Sequence, residues 1–373
     1  MTSLTDRPTR TTSVLARAPM LALVWSVAAT ALGVTWLFDD ATYPFRPGLD
    51  AADLSLLGGL EPRLGASLLM LVAALGVTTA LLARLTPRRS RPLLVASTGL
   101  AITFGVLVPD IQLLIVAGYL VALSVPLVAV VALLLCLRSP RRAGFAAVGA
   151  AAFATWAWQT GAADAEALGS LGDGLGTGFA RLGIRPFVLL FFLAGGAIWA
   201  AVAAGTYGRF GGLAGATWAR PESAARWGRV ATLVAAACAL PYGLMRMTWL
   251  TPWPLGFDPD DFTSSPGIRI FGLLLGCAAL SGAVLTLGLI SRWGEIWPRW
   301  IPVLRGRPVP IVAAVVPGAT IAALFTMSGV SLTRSIVEEQ QYVFLVIFPF
   351  LLWGPALAAA TLAYYLRRRP VTR

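Results

Sequence analysis

Apolar runs of roughly twenty residues follow one another along almost the whole chain, each closed by arginine, proline or glycine. A helix that crosses the hydrocarbon core of a bilayer needs about 20 such residues. The buried stripe of a soluble helix would instead be interrupted by polar residues every turn. The pattern predicts about ten transmembrane helices, at approximately 18–38, 64–85, 92–108, 111–137, 143–159, 186–205, 230–250, 268–290, 309–330 and 342–365. Pro109-Asp110 alone separates the third from the fourth, which predicts a tight hairpin. The fifth is short, alanine-rich and the weakest of the set. The expected fold class is an all-α integral membrane protein.

Charge gives these spans a direction. All 29 basic residues are arginine, and most fall in the alternate connecting segments 7–17, 84–91, 138–142, 209–229, 292–307 and 367–373, while most of the 17 acidic residues fall in the other set. Short cytoplasmic loops carry the basic excess of membrane proteins, so the N- and C-termini are expected in the cytoplasm, with the protein in the plasma membrane. Deleting the fifth helix alone would send every later arginine-rich loop outside, which argues for keeping it. Ala18 to Phe38 is longer than a signal-peptide core and lacks a small-residue cleavage site, so it reads as a helix.

Composition agrees. At 57% hydrophobic and 12% charged residues, with a mean hydropathy of +0.78, the chain departs from any ordinary soluble domain. A net charge of +12 and a pI near 10.8 would suggest nucleic acid in a soluble protein. Here the arginines border apolar runs, so the lipid bilayer is the expected partner and nucleic acid is not. Cys136, Cys238 and Cys277 lie inside apolar spans without metal-like spacing, and histidine is absent. No cofactor and no metal ion are expected.

Two halves share landmarks. Thr35-Trp36-Leu37 closes the first span and Thr248-Trp249-Leu250 the seventh, and each is followed by an acidic loop containing Pro44-Phe45 or Pro254-Leu255-Gly256-Phe257. Pro126 and Pro355 stand at similar distances before the arginines that end the fourth and tenth spans. Helices one to four and seven to ten therefore read as a direct, parallel repeat. The expected organisation is a cytoplasmic tail (1–17), a first four-helix repeat (18–142), a linking helix pair (143–229), a second four-helix repeat (230–366) and an arginine-rich tail (367–373).

Arg246 is the one charge well inside an apolar span, preceded by the helix breakers Pro241 and Gly243. Ionisable residues in spans are costly and mark ligands or pathways unless they pair or snorkel. Arg246 stands near the end of its span, so pairing with an acidic-loop carboxylate (Asp39, Asp40, Asp110, Asp258, Asp260, Asp261, Glu338 or Glu339) is the structural alternative to binding an anion. Tyr242 and Trp249 lie one turn to either side and would line the same site.

The loop Arg292-Trp293-Gly294-Glu295-Ile296-Trp297-Pro298-Arg299-Trp300 spaces Trp293, Trp297 and Trp300 four and then three apart, as on one helical face. Such a face anchors at lipid headgroups or docks a partner protein. This string, with Arg246-x-x-Trp249 and Pro254-Leu255-Gly256, resembles uncharacterised polytopic (multi-pass) membrane proteins of actinobacteria over roughly 240–310. The resemblance implies class and lineage and transfers no activity. Pro252 and Trp253 stand where a more glycine-rich link would be expected.

Asp39-Asp40, in the first acidic loop, are the candidate catalytic carboxylates of an enzyme reading. Membrane-embedded polyprenyl-phosphate-sugar glycosyltransferases carry acidic residues there, and the chain resembles them in that feature and in helix count only. Gly172-Asp173-Gly174-Leu175-Gly176-Thr177-Gly178 lacks the strand and lysine of a phosphate loop, so 161–185 reads as a flexible or re-entrant loop. Gly272-x-x-x-Gly276 predicts close helix packing. The leading function is a permease-like protein that binds a small anionic solute between the halves. The alternatives are an enzyme acting on a lipid-linked polyprenyl-phosphate substrate and a non-catalytic membrane subunit that docks a partner. Whether the chain self-associates is left open.

Overall fold

A computed structural model describes residues 10–46, 54–86, 89–136, 140–160, 164–214, 216–256, 262, 267–298 and 304–369. These residues are helical throughout, apart from turns and one isolated bridge, Ile296 to Pro308. In chain order the helices are α1 (Arg10–Phe38), α2 (Pro62–Leu85), α3 (Arg91–Ile102), α4 (Gln112–Cys136), α5 (Pro140–Gln159), α6 (Ala165–Arg181) and α7 (Arg185–Gly208). They continue with α8 (Pro221–Cys238), α9 (Leu240–Met247), α10 (Gly267–Gly288), α11 (Ile311–Glu338), α12 (Val343–Ile347) and α13 (Phe350–Arg368). Proline opens α2, α3, α7 and α8 within the first turn, where its missing N–H costs nothing.

Seven helices among the described residues are long and apolar enough to cross a membrane: 16–38, 62–85, 185–208, 221–250, 267–288, 311–338 and 343–368. The pair 91–107 and 112–125 passes the same test together, which makes eight. Large apolar side chains on these helices face outward, for example Met20, Leu21 and Val24 on α1 and Leu68, Leu71 and Leu75 on α2. An exposed apolar surface of that extent suits lipid, not water. The chain is an integral membrane protein.

The count of ten differs from this in two places. α3 and α4 do not fold back as a tight hairpin; the axis turns by 60° between them. α3 runs on into a π-helical turn, Thr103–Leu107, where Gly105 meets Gly196 of α7 so closely that a Cβ on Gly196 would fall 2.3 Å from the Gly105 Cα. The fifth predicted helix forms as α5 but is not among the spans. A third difference is α6, which occupies the segment expected to be loop. Asp164 accepts the amide of Ala167 at 2.8 Å as its cap, and Leu168, Leu171, Leu175 and Phe179 recur at helical spacing.

Two cores run side by side. The first joins α1, α2, α3 and α7 around Trp25, Trp36, Phe104, Phe192 and Trp199. Small residues let these helices approach: a Cβ at Gly33 would meet Met70, one at Gly76 would meet Ser26, and one at Gly195 would strike the Trp25 ring. The second core joins α8, α10, α11 and α13 around Phe350, Trp353, Leu357 and Tyr364. Leu114 and Ile321 pack against both cores, so apolar side chains fill the contact between them. In the second half α13 lies along α8, whereas in the first it is α7, not α4, that lies along α1; α4 packs on α10, α11 and α5. The helix partners of the two halves are thus not those that a direct repeat of one to four on seven to ten would give.

Helix ends segregate by charge. One end of the bundle, here the acidic end, carries Asp39, Asp40, Glu61, Asp110 and Glu338; the other, the arginine end, carries Arg84, Arg209, Arg292 and Arg367. At the arginine end the described tryptophans, Trp293 and Trp297, do not lie on one helical face. Trp293 lies on a 3-10 turn with its ring against Gly288, Trp297 pairs with Arg307 beside the bridge, and Trp300 lies outside the described residues. Tyr364 donates to the Gly294 carbonyl at 2.7 Å, Arg367 pairs with Glu295 at 3.4 Å, and Arg368 donates to the Val309 carbonyl at 2.9 Å. Arginines in the last turn of α13 thereby tie the 292–309 loop down.

Candidate functional site

Arg246 sits on α9, the short helix after a break in the seventh predicted span. α8 ends at Cys238 and α9 begins at Leu240, with Pro241 in its first turn, so the expected interruption is present, at Ala239, two residues before Pro241. The guanidinium lies 4.1 Å above the Trp249 ring and 5.2 Å from that of Tyr242. Rings this close attract a cation through their quadrupoles, by about 0.5–2 kcal/mol each depending on desolvation.

α10 makes room for this group. A Cβ at Gly272 would fall 2.1 Å from the Trp249 ring and 3.0 Å from Arg246 Nη1; one at Gly276 would fall 2.6 Å from Arg246 Cβ. The Gly-x-x-x-Gly spacing expected to pack helices closely does so, and what it admits is the arginine and its tryptophan. Trp249 is fully buried and donates to the Leu255 carbonyl at 3.1 Å. Thr248 Oγ1 accepts the Leu255 amide at 2.9 Å, and Arg269 donates to the Trp249 carbonyl at 2.9 Å. Loop 251–256 is thereby folded over the end of α9.

Arg246 makes no ion pair with a described carboxylate, and its buried Nε has no hydrogen-bond partner. Of the eight carboxylates considered as partners, Asp40 pairs with Arg63 at 3.3 Å and Glu338 with Arg334 at 2.8 Å. Asp39 accepts the Ala41 amide at 3.1 Å. Asp258, Asp260 and Asp261 lie outside the described residues. Asp39 and Asp40 therefore cap and pair at the end of α1. Among the described residues no three His, Cys, Asp or Glu side chains gather to hold a metal.

Glu339 makes no ion pair among the described residues, and the last of the eight, Asp110, belongs to a network that the sequence did not announce. Arg185, in the first turn of α7, pairs with Asp110, donates to the side chain of Gln112, and donates through Nε to the Pro44 carbonyl at 2.8 Å. Both Arg185 and Asp110 are buried, and the Phe45 ring lies 5.5 Å from the guanidinium. Gln112 donates its amide to Asp110 at 3.0 Å, and the Ile111 amide donates to Ser331 of α11 at 3.2 Å. The network ties the turn between α3 and α4 to the loop after α1, to α7 and to α11. The one available signal was Pro109-Asp110-Ile111-Gln112, polar residues stranded between two apolar runs. Beside it, Tyr43 is buried with its hydroxyl unpartnered against Gly65, and burial pushes its ionisation above the ordinary tyrosine value.

Two open hollows among the described residues of the second half are lined almost wholly by apolar side chains. One of about 290 Å³ lies between α11 and the α12–α13 break, lined by Leu332, Ile336, Leu345 and Phe348 among others. The other, about 390 Å³, lies between α8 and α10 beside Leu233, Leu240 and Leu280. Neither lies in the contact between the two cores. Tyr242 links Arg246 to the first, since its ring lies 5.1 Å from that of Phe348. Compared with protein-family models, with curated proteins and with solved structures, the chain finds no match in any of the three.

Proposed function

We propose that this integral membrane protein is a permease-like carrier of the plasma membrane, with both termini cytoplasmic, that takes up an anionic group at Arg246. One observation carries the reading: a guanidinium inside a membrane helix whose buried Nε lacks an acceptor. A charge inside a span is costly unless it is paired, hydrated or bound, although less so near the end of the span, where Arg246 stands, than at its centre. Tyr242 and Trp249 offset part of that, but a ring face accepts no conventional N–H bond. An anion would supply both the charge and the acceptor. Its seat lies within the second bundle, at the junction of α9 and α10, and its approach is from the acidic end. That differs from a cleft between the halves, where Leu114 and Ile321 fill the space.

The test is thermal unfolding of the protein in nanodiscs against a panel of anions, wild type beside Arg246→Gln. A ligand that binds only the folded state raises the midpoint, by about 2.7 kcal/mol of stability at a hundred times its dissociation constant. The wild type should gain and the variant should not. A panel that stabilises both equally, or neither, would remove the reading.

A further inference from the structure

We infer that the anion held at Arg246 is the phosphate of a membrane lipid whose acyl chain lies in the groove between α11 and the α12–α13 break. The inference rests on the anion reading above and names the ligand's class.

The groove has a structural origin. Pro349 has no N–H to continue a helix, and Phe348 adopts φ −120°, ψ 69°, so the chain breaks between α12 and α13. The break offsets α13 from α12 and leaves a groove of about 290 Å³ beside α11, lined there by the half-buried Leu332 and the buried Ile336. Its lining is Leu332, Ile336, Leu345, Phe348, Phe350 and Leu352, with little polar surface. Backbone polar groups are absorbed locally: Phe348 donates to the Phe344 carbonyl at 2.8 Å and Trp353 to the Pro349 carbonyl at 2.7 Å.

Position ties groove and charge together. The ring of Phe348, which lines the groove, lies 5.1 Å from that of Tyr242 at a tilt of 39°, and Tyr242 lies 5.2 Å from the Arg246 guanidinium. A single pair of rings forms the wall between them. The groove starts near the depth of Arg246 and runs inward from it, from Ile336 back to Gly329 of α11. Arg246 stands four residues before Leu250, at the acidic end of its span, and Ile336 stands two before Glu338, at the acidic end of α11. Lipids carry their phosphate at this depth, directly above their chains. Arginine recognises phosphate oxygens through paired N–H donors. A small soluble anion would use the cation and leave the apolar groove idle; a phospholipid uses both.

The experiment titrates purified protein in maltoside micelles with inorganic phosphate, dihexanoyl phosphatidic acid, dioleoyl phosphatidic acid and dioleoyl phosphatidylcholine, reading retained adducts by native mass spectrometry. Wild type should retain the dioleoyl acid at concentrations at least tenfold below the dihexanoyl acid, and prefer both to the net-neutral phosphatidylcholine. Arg246→Gln should weaken both acids tenfold or more, and Arg246→Lys should restore part of the loss. Leu345→Trp, which fills the groove, should abolish the chain-length preference and leave dihexanoyl binding in place. Val346→Trp, one residue on and outside the groove lining, adds the same bulk and should change neither. If inorganic phosphate and both acids bind alike, or Leu345→Trp keeps the chain-length preference, the lipid inference fails and the anion reading stands. If Arg246→Gln binds every probe like wild type, both fail.

Discussion

A cation in a membrane protein needs an offset for its lost hydration, and Arg185 and Arg246 obtain it differently. Arg185 has a complete set of partners: a carboxylate, a side-chain amide and a backbone carbonyl. Removing one member of such a buried pair leaves the other charge uncompensated, at about 3–5 kcal/mol. Asp110→Asn or Arg185→Gln should therefore lower the unfolding midpoint markedly, with the double variant less affected than the sum; additive losses would mean that the two side chains act independently. Arg246 has two rings and, among the described residues, no acceptor for its Nε. Its isolation in an apolar run was legible in the sequence, as were Tyr242 and Trp249 one turn away. The Arg185–Asp110 pair was not, because its members lie 75 residues apart and each looked like an ordinary loop charge. Pairing across such a distance is fixed by packing and leaves no local periodicity.

Among the elements, the α9–α10 crossing depends on two missing side chains. Gly272→Val would drive methyl groups into Trp249, and overpacking of this kind costs about 1–3 kcal/mol. The variant should melt early and lose the anion response together; Gly282→Val, on the same helix with open space around it, should do neither. If Gly272→Val kept the wild-type midpoint and response, α10 would not be the wall of the site. Helix identities were readable from apolar length, and the break near Pro241 from its breakers. What escaped was any element whose boundary is set by neighbours. α6 hid behind its glycines, although its Asp164 cap and leucine spacing were available. The tryptophan loop has helical spacing, yet the bridge and the α13 arginines hold it in another form.

For the whole molecule, the two ways of counting spans share a parity. If α3 and α4 together cross once and α5 does not cross, only the 138–142 segment changes side, and every later arginine-rich loop keeps its place. The structure nonetheless puts the far end of α3 at the acidic end, beside Arg185 and Ser331, and the last turn of α5 there too, where Trp156 donates to the Leu250 carbonyl at 2.9 Å. α4 is 25 residues without a charge, long enough to cross alone. Arg142→Cys and Val371→Cys, each placed in a chain whose three native cysteines are replaced, should react with an impermeant maleimide only after the membrane is opened. Reaction at 142 from outside would make α3 and α4 one span; reaction at 371 from outside would invert the whole orientation.

α11 contributes Leu324 and Met327 to the first core and Ala322 to the second, and its Ser331 accepts from Ile111, 220 residues earlier in the chain. That arrangement has a consequence for biosynthesis. When the ribosome has released α1 to α7, the first bundle still lacks one of its walls, and the polar turn at Asp110 still lacks its cover. The early half must wait in the bilayer, with that face against lipid or an insertion factor, until the eleventh helix arrives. A chain stopped after α8 would therefore be the substrate of membrane quality control, and folding of the first half would be timed by synthesis of the second.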